Sequence, residues 1–525
     1  MTGGAILRTD SDPVAATIRH GNRRGCRRFC RNAVLGVAIL PDHLVDRAAN
    51  AVVITPIRAA RLGDWLKAQP GSVQRWVKSV DFQAKPGSIC LVPAGDGKIE
   101  RILLGVEEGQ DRWSSAVLPT ALPAGAYQLD AEAGFDATAF AFGWAVGGYR
   151  FERYKAADKA LARLVWPQGA DRALVTRLAK ALFLGRDMIN TPASDMGPAE
   201  LAGAVKAVAK AHKAKIREIV GDDLLKQNYP TIHMVGRASS RAPRLIDLRW
   251  GNEGPKLTLV GKGVCFDTGG LDLKGGSYMR LMKKDMGGAA LMLALAQAIM
   301  DAKLKVRLRL LVPAVENSVS GNAMRPLDVV KTRKGITVEI GDTDAEGRLI
   351  LCDALAEAEN DKPDLIIDAA TLTGAARVAL GTEMPALFAT DDDLADALLL
   401  QGRGQDDQLW RLPLNKSYRR MLDSKVADIN NCSESGYAGA ITAALYLQEF
   451  LTPGTKWMHI DTMGWNVSNR PGRPEGGEAL GLRALYAFIA DWSKPKAKGA
   501  AKIIAKTPVP RPAPRKPQTS RLRRR

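Results

Sequence analysis

The chain has 525 residues, of which 46% are hydrophobic and 25% are charged. This composition is that of an ordinary globular protein, and it excludes a wholly disordered chain, a collagen-like fibre and a small disulfide-linked scaffold. The net charge of +19 is concentrated at the ends: residues 1–32 carry +5, residues 494–525 carry +12, and the remainder carries only +2.

The predicted elements divide the chain into four parts. Residues 1–48 are expected to be a disordered extension, or the product of a start codon placed too far upstream. Strand-like runs at 51–57, 89–93 and 101–105 predict a smaller N-terminal α/β domain over residues 49–165. Apolar spacing over 173–188 then predicts an amphipathic linker helix at the start of the next domain.

Residues 166–492 alternate strand-like and helix-like segments. The strand-like runs are 245–250, 257–264, 306–315, 364–369 and 457–460, and the helix-like runs are 285–302, 346–359 and 440–450. Hydrophobic strands between helices predict a larger α/β domain, with a central, mostly parallel sheet covered by helices on both faces. Residues 493–525 are rich in Lys, Arg, Pro and Ala, which predicts a disordered basic tail.

The sequence predicts a cytoplasmic protein that does not enter a membrane. A helix that crosses a bilayer needs about 20 apolar residues, and no run is that long. The six cysteines are few and scattered, which favours reduced thiols over a disulfide framework.

Four carboxylates lie where strands end and helices begin: Asp267, Asp285, Asp344 and Glu346. Clustered carboxylates are costly unless cations compensate them. Two divalent ions bridged by shared carboxylates would do so and could activate a water molecule. Taken singly, an acid at a helix start also fits a simple cap, so it is the combination that favours a metal site.

Other catalytic patterns are absent from the sequence. It contains no His-Glu-x-x-His motif, no Gly-x-Ser-x-Gly elbow and no phosphate-binding or dinucleotide-binding glycine pattern. His459 lies in an apolar context, which predicts core packing.

Three segments resemble the leucine aminopeptidase (cytosol aminopeptidase) family. They are VGKGVCFDTGG at 260–270, DTDAEGRL at 342–349 and DAATLTGA at 368–375. The resemblance covers about residues 140–490 in one register, is weak in the N-terminal domain and does not reach the tails. It implies a metallo-exopeptidase, a hydrolase with two divalent ions (Mn²⁺ or Zn²⁺) per subunit, assembled as a homohexamer.

The resemblance also implies roles for individual residues. The five implied metal ligands are Lys262, Asp267, Asp285, Asp344 and Glu346, of which Asp267 and Glu346 would bridge the ions. The two implied catalytic residues are Lys274 and Arg348. The implied substrate-binding residues are Met282, Thr371, Leu372 and Asp342, which stands where the family usually has Asn.

Physical chemistry is consistent with these implied roles. Lys262 can ligate only as a neutral amine, so the metal would expel its proton. Lys274, as a cation, can polarise the scissile carbonyl. Asp344 and Arg348, four apart at a helix start, are expected to face the same way. The fork of Arg348 can hold an anion, which in the family is the bicarbonate that serves as general base.

The implied reaction is removal of the N-terminal residue, with a leucine-like preference, from peptide substrates by a hydroxide that the two metals activate. Asp342 leaves three alternatives open: tighter metal binding, repulsion of the substrate carbonyl, or a helix cap. The basic tail leaves a further alternative, non-specific nucleic-acid binding on a peptidase-like scaffold, beside a purely solubilising role.

Overall fold

The computed structural model describes residues 43–108 and 111–495. The predicted N-terminal extension up to residue 42 and the predicted tail from residue 496 lie outside the described residues. The described residues up to Ser493 form one unit by their contacts. Within the described ranges, no helix is both long and apolar enough to cross a bilayer.

The N-terminal part is built on a six-stranded sheet. Its strands are β1 (Leu44–Val45), β2 (Val52–Arg58), β3 (Ile89–Pro93), β4 (Ile99–Val106), β5 (Ala126–Leu129) and β6 (Arg163–Val165). Its helices are α1 (Ala59–Lys67), α2 (Gly71–Ser79), α3 (Leu118–Ala121) and α4 (Ala137–Gly147). The order is β1-β6-β5-β2-β4-β3, and every pair is parallel except β3 with β4.

The two faces of this sheet are covered by different helices. On one face, Ile57 of β2 and Leu103 of β4 pack with Leu62 and other apolar side chains of α1 and α2. On the other face, Ile54 packs with Trp144 of α4 and apolar side chains of β4, β5 and β6. The helices α1 and α2 pack with side chains of β2, β3 and β4. They therefore leave part of this face of the sheet without a covering helix.

The C-terminal part contains the remaining elements. Its helices are α5 (Arg172–Asn190), α6 (Pro198–His212), α7 (Asp223–Lys226), α8 (Pro230–Gly236), α9 (Gly276–Met279), α10 (Gly287–Asp301), α11 (Glu346–Ala358), α12 (Gly374–Leu380), α13 (Asp392–Gly404), α14 (Gly439–Gln448) and α15 (Leu482–Trp492). Its strands are β7 (Lys215–Val220), β8 (Arg244–Trp250), β9 (Lys256–Gly261), β10 (Gly263–Asp267), β11 (Arg307–Asn317), β12 (Val329–Lys331), β13 (Thr337–Glu339), β14 (Leu365–Ala370), β15 (Ala386–Ala389), β16 (Trp410–Arg411), β17 (Ile429–Asn430), β18 (Trp457–Asp461), β19 (Trp465–Asn466) and β20 (Gly476–Gly477).

The main sheet of this part runs β16-β15-β18-β14-β9-β11-β8-β7, and β10 also pairs with β11. Its centre, β18, β14, β9 and β11, is parallel. Leu259 and Ile367 face a core built with α5 and α10, whereas Val260 and Ile366 face a core built with α11 and α14. The predicted α/β architecture, with a mostly parallel central sheet covered on both faces, is confirmed.

The structure differs from the prediction at two points near the strand ends. The predicted strand 257–264 is interrupted at Lys262, whose N–H donates to Ala369 O and whose carbonyl accepts from the N–H of Ala289. The predicted helix start at Asp285 is also wrong, because α10 begins at Gly287 and Asp285 lies in a preceding 3-10 helix, Met282–Met286. In both places a charged residue lies at the carboxyl end of the central strands, outside the predicted strand or helix.

The predicted domain boundaries stay a prediction. The sheet of the N-terminal part includes β1, which lies within the range expected to be an extension and pairs with β6.

Candidate metal and catalytic site

The site lies beyond the carboxyl ends of parallel strands, where α/β sheets commonly bind ligands. Lys262 follows β9, Asp267 ends β10 and Thr371 follows β14. Asp285 lies in the 3-10 helix before α10, and Glu346 is the first residue of α11. The fold therefore brings together residues that are up to 109 positions apart in the chain.

Three carboxylates form the centre of the site. Asp267, Asp344 and Glu346 each place one oxygen within 4.8 Å of the others. Asp267 is only 2% exposed and Glu346 only 1%. Burial, reinforced by the charge of Asp267, raises the pKa of Asp344 to about 7 and that of Glu346 well above its ordinary value. The centre therefore favours an added positive charge.

Lys262 supplies one such charge. Its Nζ lies 2.7 Å from Asp285 Oδ2 and 2.9 Å from Glu346 Oε1, and it donates to Thr371 O at 3.3 Å. Burial alone would lower the pKa of Lys262, but the surrounding carboxylates outweigh burial and raise it. A metal at this amine would have to displace a proton that two carboxylates hold in place.

Lys274 supplies the second charge. Its Nζ lies 2.9 Å from Asp267 Oδ2 and also contacts Asp344 Oδ1. Here too burial acts to lower the pKa, and neighbouring carboxylates raise it overall. Lys284 Nζ lies 4.0 Å from Asp285 Oδ1, so three lysines face the four predicted carboxylates and leave one negative charge without a compensating cation.

The residues present fit divalent cations. Glu346 Oε1 is buried and has no hydrogen-bond partner among the described residues, although Lys262 Nζ lies near it. Carboxylate oxygens with a single amine suit Mn²⁺, Mg²⁺ or Zn²⁺. The Glu346 oxygen without a hydrogen bond, the excess negative charge and the carboxylate and amine donors all favour cation binding at this site.

The orientation of Asp267 is fixed by Asn317, which the sequence analysis did not single out. Asn317 Nδ2 donates to Asp267 Oδ1 at 2.9 Å and to Thr343 O at 3.1 Å. The N–H of Gly269 donates to the same Asp267 oxygen at 2.9 Å. These bonds occupy Oδ1, so Oδ2 is the Asp267 oxygen that contacts the ammonium group of Lys274. Groups that orient a metal ligand commonly act in this way. Asn317 is the last residue of the apolar strand β11, and this position is the signal that could have identified it.

Asn431 is a second residue that sequence reasoning missed. It is fully buried, and its Oδ1 accepts from the N–H groups of Gly341 and Asp342 at 2.8 and 3.2 Å. Its Nδ2 donates to Asp342 O at 2.7 Å. Its own carbonyl accepts from Arg348 Nη1 at 2.6 Å. Asn431 thus holds the segment that carries Asp342 and Asp344 through its side chain and the arginine of α11 through its main-chain carbonyl.

The side chain of Asp342 closes a turn. Its Oδ1 accepts from the N–H of Asp344 at 2.7 Å. It does not cap α11, because the N-cap position is Ala345 and no side chain bonds there. The predicted helix-cap alternative is therefore wrong, and Asp342 instead supports the conformation of a neighbouring carboxylate.

The expected geometry of Arg348 also needs a correction. Asp344 and Arg348 do not share a helical turn, because α11 begins only at Glu346. Arg348 is 9% exposed, and its Nε has no hydrogen-bond partner among the described residues. Burial lowers its pKa from the ordinary arginine value. Such a guanidinium is suited to accept an anion.

The predicted substrate-binding residues surround the same strand ends. Met282 is buried and begins the 3-10 helix that carries Asp285. Thr371 Oγ1 donates to Asp285 Oδ1 at 2.7 Å, so its hydroxyl is engaged. Leu372 is half-buried, and its N–H donates at 3.0 Å to the buried carboxylate of Asp461. The loop after β14 is therefore anchored on both sides.

Comparison with known proteins supports the resemblance to the cytosol aminopeptidase family. Residues 183–486 match the model of the cytosol aminopeptidase family catalytic domain, and residues 52–167 match that of the M17 aminopeptidase N-terminal domain. A probable cytosol aminopeptidase of Rhodococcus jostii is 38% identical over 382 residues, which are 68% of this chain and 74% of that protein.

Two solved structures extend the comparison to the fold. The cytosol aminopeptidase of Coxiella burnetii is 49% identical, with a TM-score of 0.84, and the match covers 86% of this chain and all of that one. The bottromycin maturation enzyme BotP in complex with Mn is 33% identical, with a TM-score of 0.78, and the match covers 85% of this chain and all of BotP. The chain therefore belongs to the cytosol aminopeptidase family and is a metal-dependent aminopeptidase, a hydrolase.

Proposed function

We propose that the chain removes the N-terminal residue, with a preference for leucine-like side chains, from peptides by using two divalent ions, Mn²⁺ or Zn²⁺. The observation that carries the proposal is the meeting of Asp267, Asp344 and Glu346 within 4.8 Å, next to the buried Lys262 and the half-buried Lys274. A related structure, that of BotP, is described as a complex with Mn.

The ligands would divide between two positions. Asp267, Asp344 and Glu346 would hold one ion, and Lys262, Asp285, Asp267 and Glu346 would hold the other. When bound, such a pair supplies a water of lowered pKa and a Lewis acid for a carbonyl oxygen. The amine of Lys262 would enter this set only after losing its proton to solvent.

Lys274 would act on the substrate carbonyl. Its ammonium is drawn into the site by Asp267 and Asp344, whose carboxylates would turn to the ions. The freed ammonium would then donate a hydrogen bond to the oxygen that gains negative charge during attack. A pre-positioned donor of this kind contributes about 10²- to 10³-fold to the rate.

Arg348 would hold the general base. Its partly unpaired guanidinium, fixed through Nη1 to Asn431 O, offers a fork for a bicarbonate ion. When bound there, the anion would supply general-base chemistry for the attacking water. Because Arg348 contacts the anion and not the peptide, its loss should lower kcat more than it raises KM.

The leucine preference rests on the apolar residues beside the site. Met282 and Leu372 would line the pocket for the first side chain, and Thr371 would face the substrate through its backbone because its hydroxyl bonds Asp285. Capture of the free α-amino group at the ions would restrict cleavage to the end of the chain.

The direct experiment compares Glu346→Ala with a control on the same purified protein. Glu346→Ala should lose bound metal and all activity on leucine p-nitroanilide. The control Glu253→Ala removes an exposed acid before β9, at the amino end of the strand, and should leave both unchanged. Wild-type protein that stays inactive after Mn²⁺ or Zn²⁺ is added would refute the proposal, and so would a Glu346→Ala variant that retains metal and activity.

Two further properties are proposed from the resemblance and the described cysteines. We propose a homohexamer, for which light scattering should give six times the mass of one chain. We also propose a cytoplasmic location, supported by free thiols at Cys90, Cys265, Cys352 and Cys432.

Non-specific nucleic-acid binding through residues 494–525 is the second candidate, and the +12 charge of this segment is the observation that favours it. Salt-dependent retention on DNA should fall when the segment is removed. Equal retention with and without it would refute the candidate.

A further inference from the structure

A cavity of about 1120 Å³ lies in the N-terminal part, away from the residues of the metal site. Its walls include residues at or just beyond the carboxyl ends of four parallel strands: Arg58 of β2, Val106 of β4, Asp130 after β5 and Trp166 after β6. The volume is of the order that holds a small organic ligand.

The topology explains why a cavity forms there. The chain leaves β2 through α1, which packs on one face of the sheet, and leaves β5 toward α4, which packs on the other face. Such a reversal opens a crevice at the carboxyl ends of adjacent strands, which is the general ligand-binding position of open α/β sheets. Here the crevice widens over the part of the sheet face that α1 and α2 do not cover.

The floor of the cavity is an ordered polar network. Arg101 Nη1 donates to Thr55 Oγ1 at 2.7 Å and to Asp130 Oδ2 at 3.0 Å, and Thr55 donates to the same Asp130 oxygen at 2.8 Å. These bonds fix polar side chains of β2 and β4 and of the residue after β5 on the part of the sheet face that α1 and α2 leave open.

Two arginines at the rim retain capacity for a ligand. Arg58 Nε is buried and has no hydrogen-bond partner among the described residues, and Glu108 Oε2 lies 3.7 Å from it. Arg61 is exposed on α1 and forms no ion pair with another described residue. Arg58 Nε thus has a long ion-pair contact but no hydrogen bond, and a phosphate oxygen would give it a charge-assisted one.

The cavity also presents aromatic surfaces. Trp65 of α1, Phe135 before α4 and Trp166 after β6 line it, and all three are half-buried. Indole and phenyl rings stack well on flat heterocycles. Cationic nitrogens beside flat aromatic walls favour a ligand with both a phosphate and a planar base.

We propose that this cavity is a binding site for a mononucleotide, with the phosphate on Arg58 and Arg61 and the base against Trp65 or Trp166. No peptide hydrolysis occurs there, because no member of the metal site lines it. The site is therefore independent of the function proposed above.

The test is calorimetric titration of the full-length protein with AMP, adenosine and inorganic phosphate. AMP should bind saturably, and adenosine and phosphate should each bind at least tenfold more weakly, because each carries one half of the recognised chemistry. Arg61→Gln and Arg58→Gln should each weaken AMP binding about tenfold. The matched control is Arg75→Gln, because Arg75 is exposed on α2. This variant should bind AMP like the wild type.

Activity on leucine p-nitroanilide and the melting temperature should stay unchanged in Arg61→Gln, an exposed position at which misfolding is not expected. The proposal is overturned if the wild type shows no saturable AMP binding at millimolar concentration. It is equally overturned if Arg61→Gln binds AMP as well as Arg75→Gln does, or if adenosine binds as tightly as AMP.

Discussion

Gly347→Ala tests how tightly the site is built around Lys262. Gly347 is the second residue of α11, and a Cβ added there would lie 2.4 Å from Lys262 Cε, 2.8 Å from Nζ and 2.9 Å from Cδ. Ordinary contact begins near 3.4 Å, so the lysine stem must move by about 1 Å. It has little freedom to do so, because its amine is held by Asp285 and Glu346 at 2.7 and 2.9 Å.

We expect Gly347→Ala to destabilise the protein, whereas Gly→Ala within a helix usually stabilises it. Gly→Ala in a helix ordinarily stabilises a protein by about 0.5–1 kcal/mol. Here overpacking costs about 1–3 kcal/mol, so the free energy of unfolding should fall by about 1 kcal/mol. A displacement of about 1 Å at a catalytic centre lowers activity about 10²-fold, and we expect kcat/KM on leucine p-nitroanilide to fall by that factor.

Gly203→Ala is the matched control, because Gly203 lies within α6 and an added Cβ would meet nothing within 4 Å. That variant should be stabilised by about 0.5–1 kcal/mol in urea unfolding, with unchanged activity. If Gly347→Ala were as active as the wild type and as stabilised as Gly203→Ala, the packing described around Lys262 would be refuted.

Three further predictions follow from the same geometry. In chelator-treated protein, the raised pKa values of Asp344 and Glu346 mean that the folded chain holds protons that the unfolded chain has released. The melting temperature should therefore fall as pH rises from about 4 to 7, while Mn²⁺ affinity measured by titration rises; opposite slopes would contradict this. Asn431→Ala should lower the free energy of urea unfolding by about 3 kcal/mol, because backbone N–H groups lose their acceptor; a change below about 0.5 kcal/mol would count against it. Lys274→Ala should lower kcat about 10²- to 10³-fold with full metal content, and loss of metal instead would show that Lys274 acts through the ions.

The central strands of the larger domain and its long helices α10, α11 and α14 were readable from runs of apolar residues. These runs predicted the parallel core, and acids near strand ends and helix starts predicted Asp267 and Glu346. The break at Lys262 was not readable, because it depends on bonds to Ala369 and Ala289 from two other elements. A continuous apolar pattern does not reveal where a strand exchanges partners.

The residues that hold the site in place were the least predictable. Asn317 acts on Asp267, 50 positions earlier, and Asn431 acts on Asp342, 89 positions earlier. Asn317 at least ends an apolar strand, whereas Asn431 follows a two-residue strand and has no sequence pattern that distinguishes its role from solvent exposure. The N-terminal cavity was unpredictable for a related reason, since it depends on which part of a sheet face two helices leave uncovered.

Anomalous diffraction from crystals grown with Mn²⁺ would test the metal centre most directly. We predict two peaks per chain, both within about 2.3 Å of carboxylate oxygens of Asp267 and Glu346, with one also near Asp344 and the other near the Lys262 amine. A map with no peak at these side chains, or with a single peak that Asp267 and Glu346 do not share, would contradict a binuclear centre.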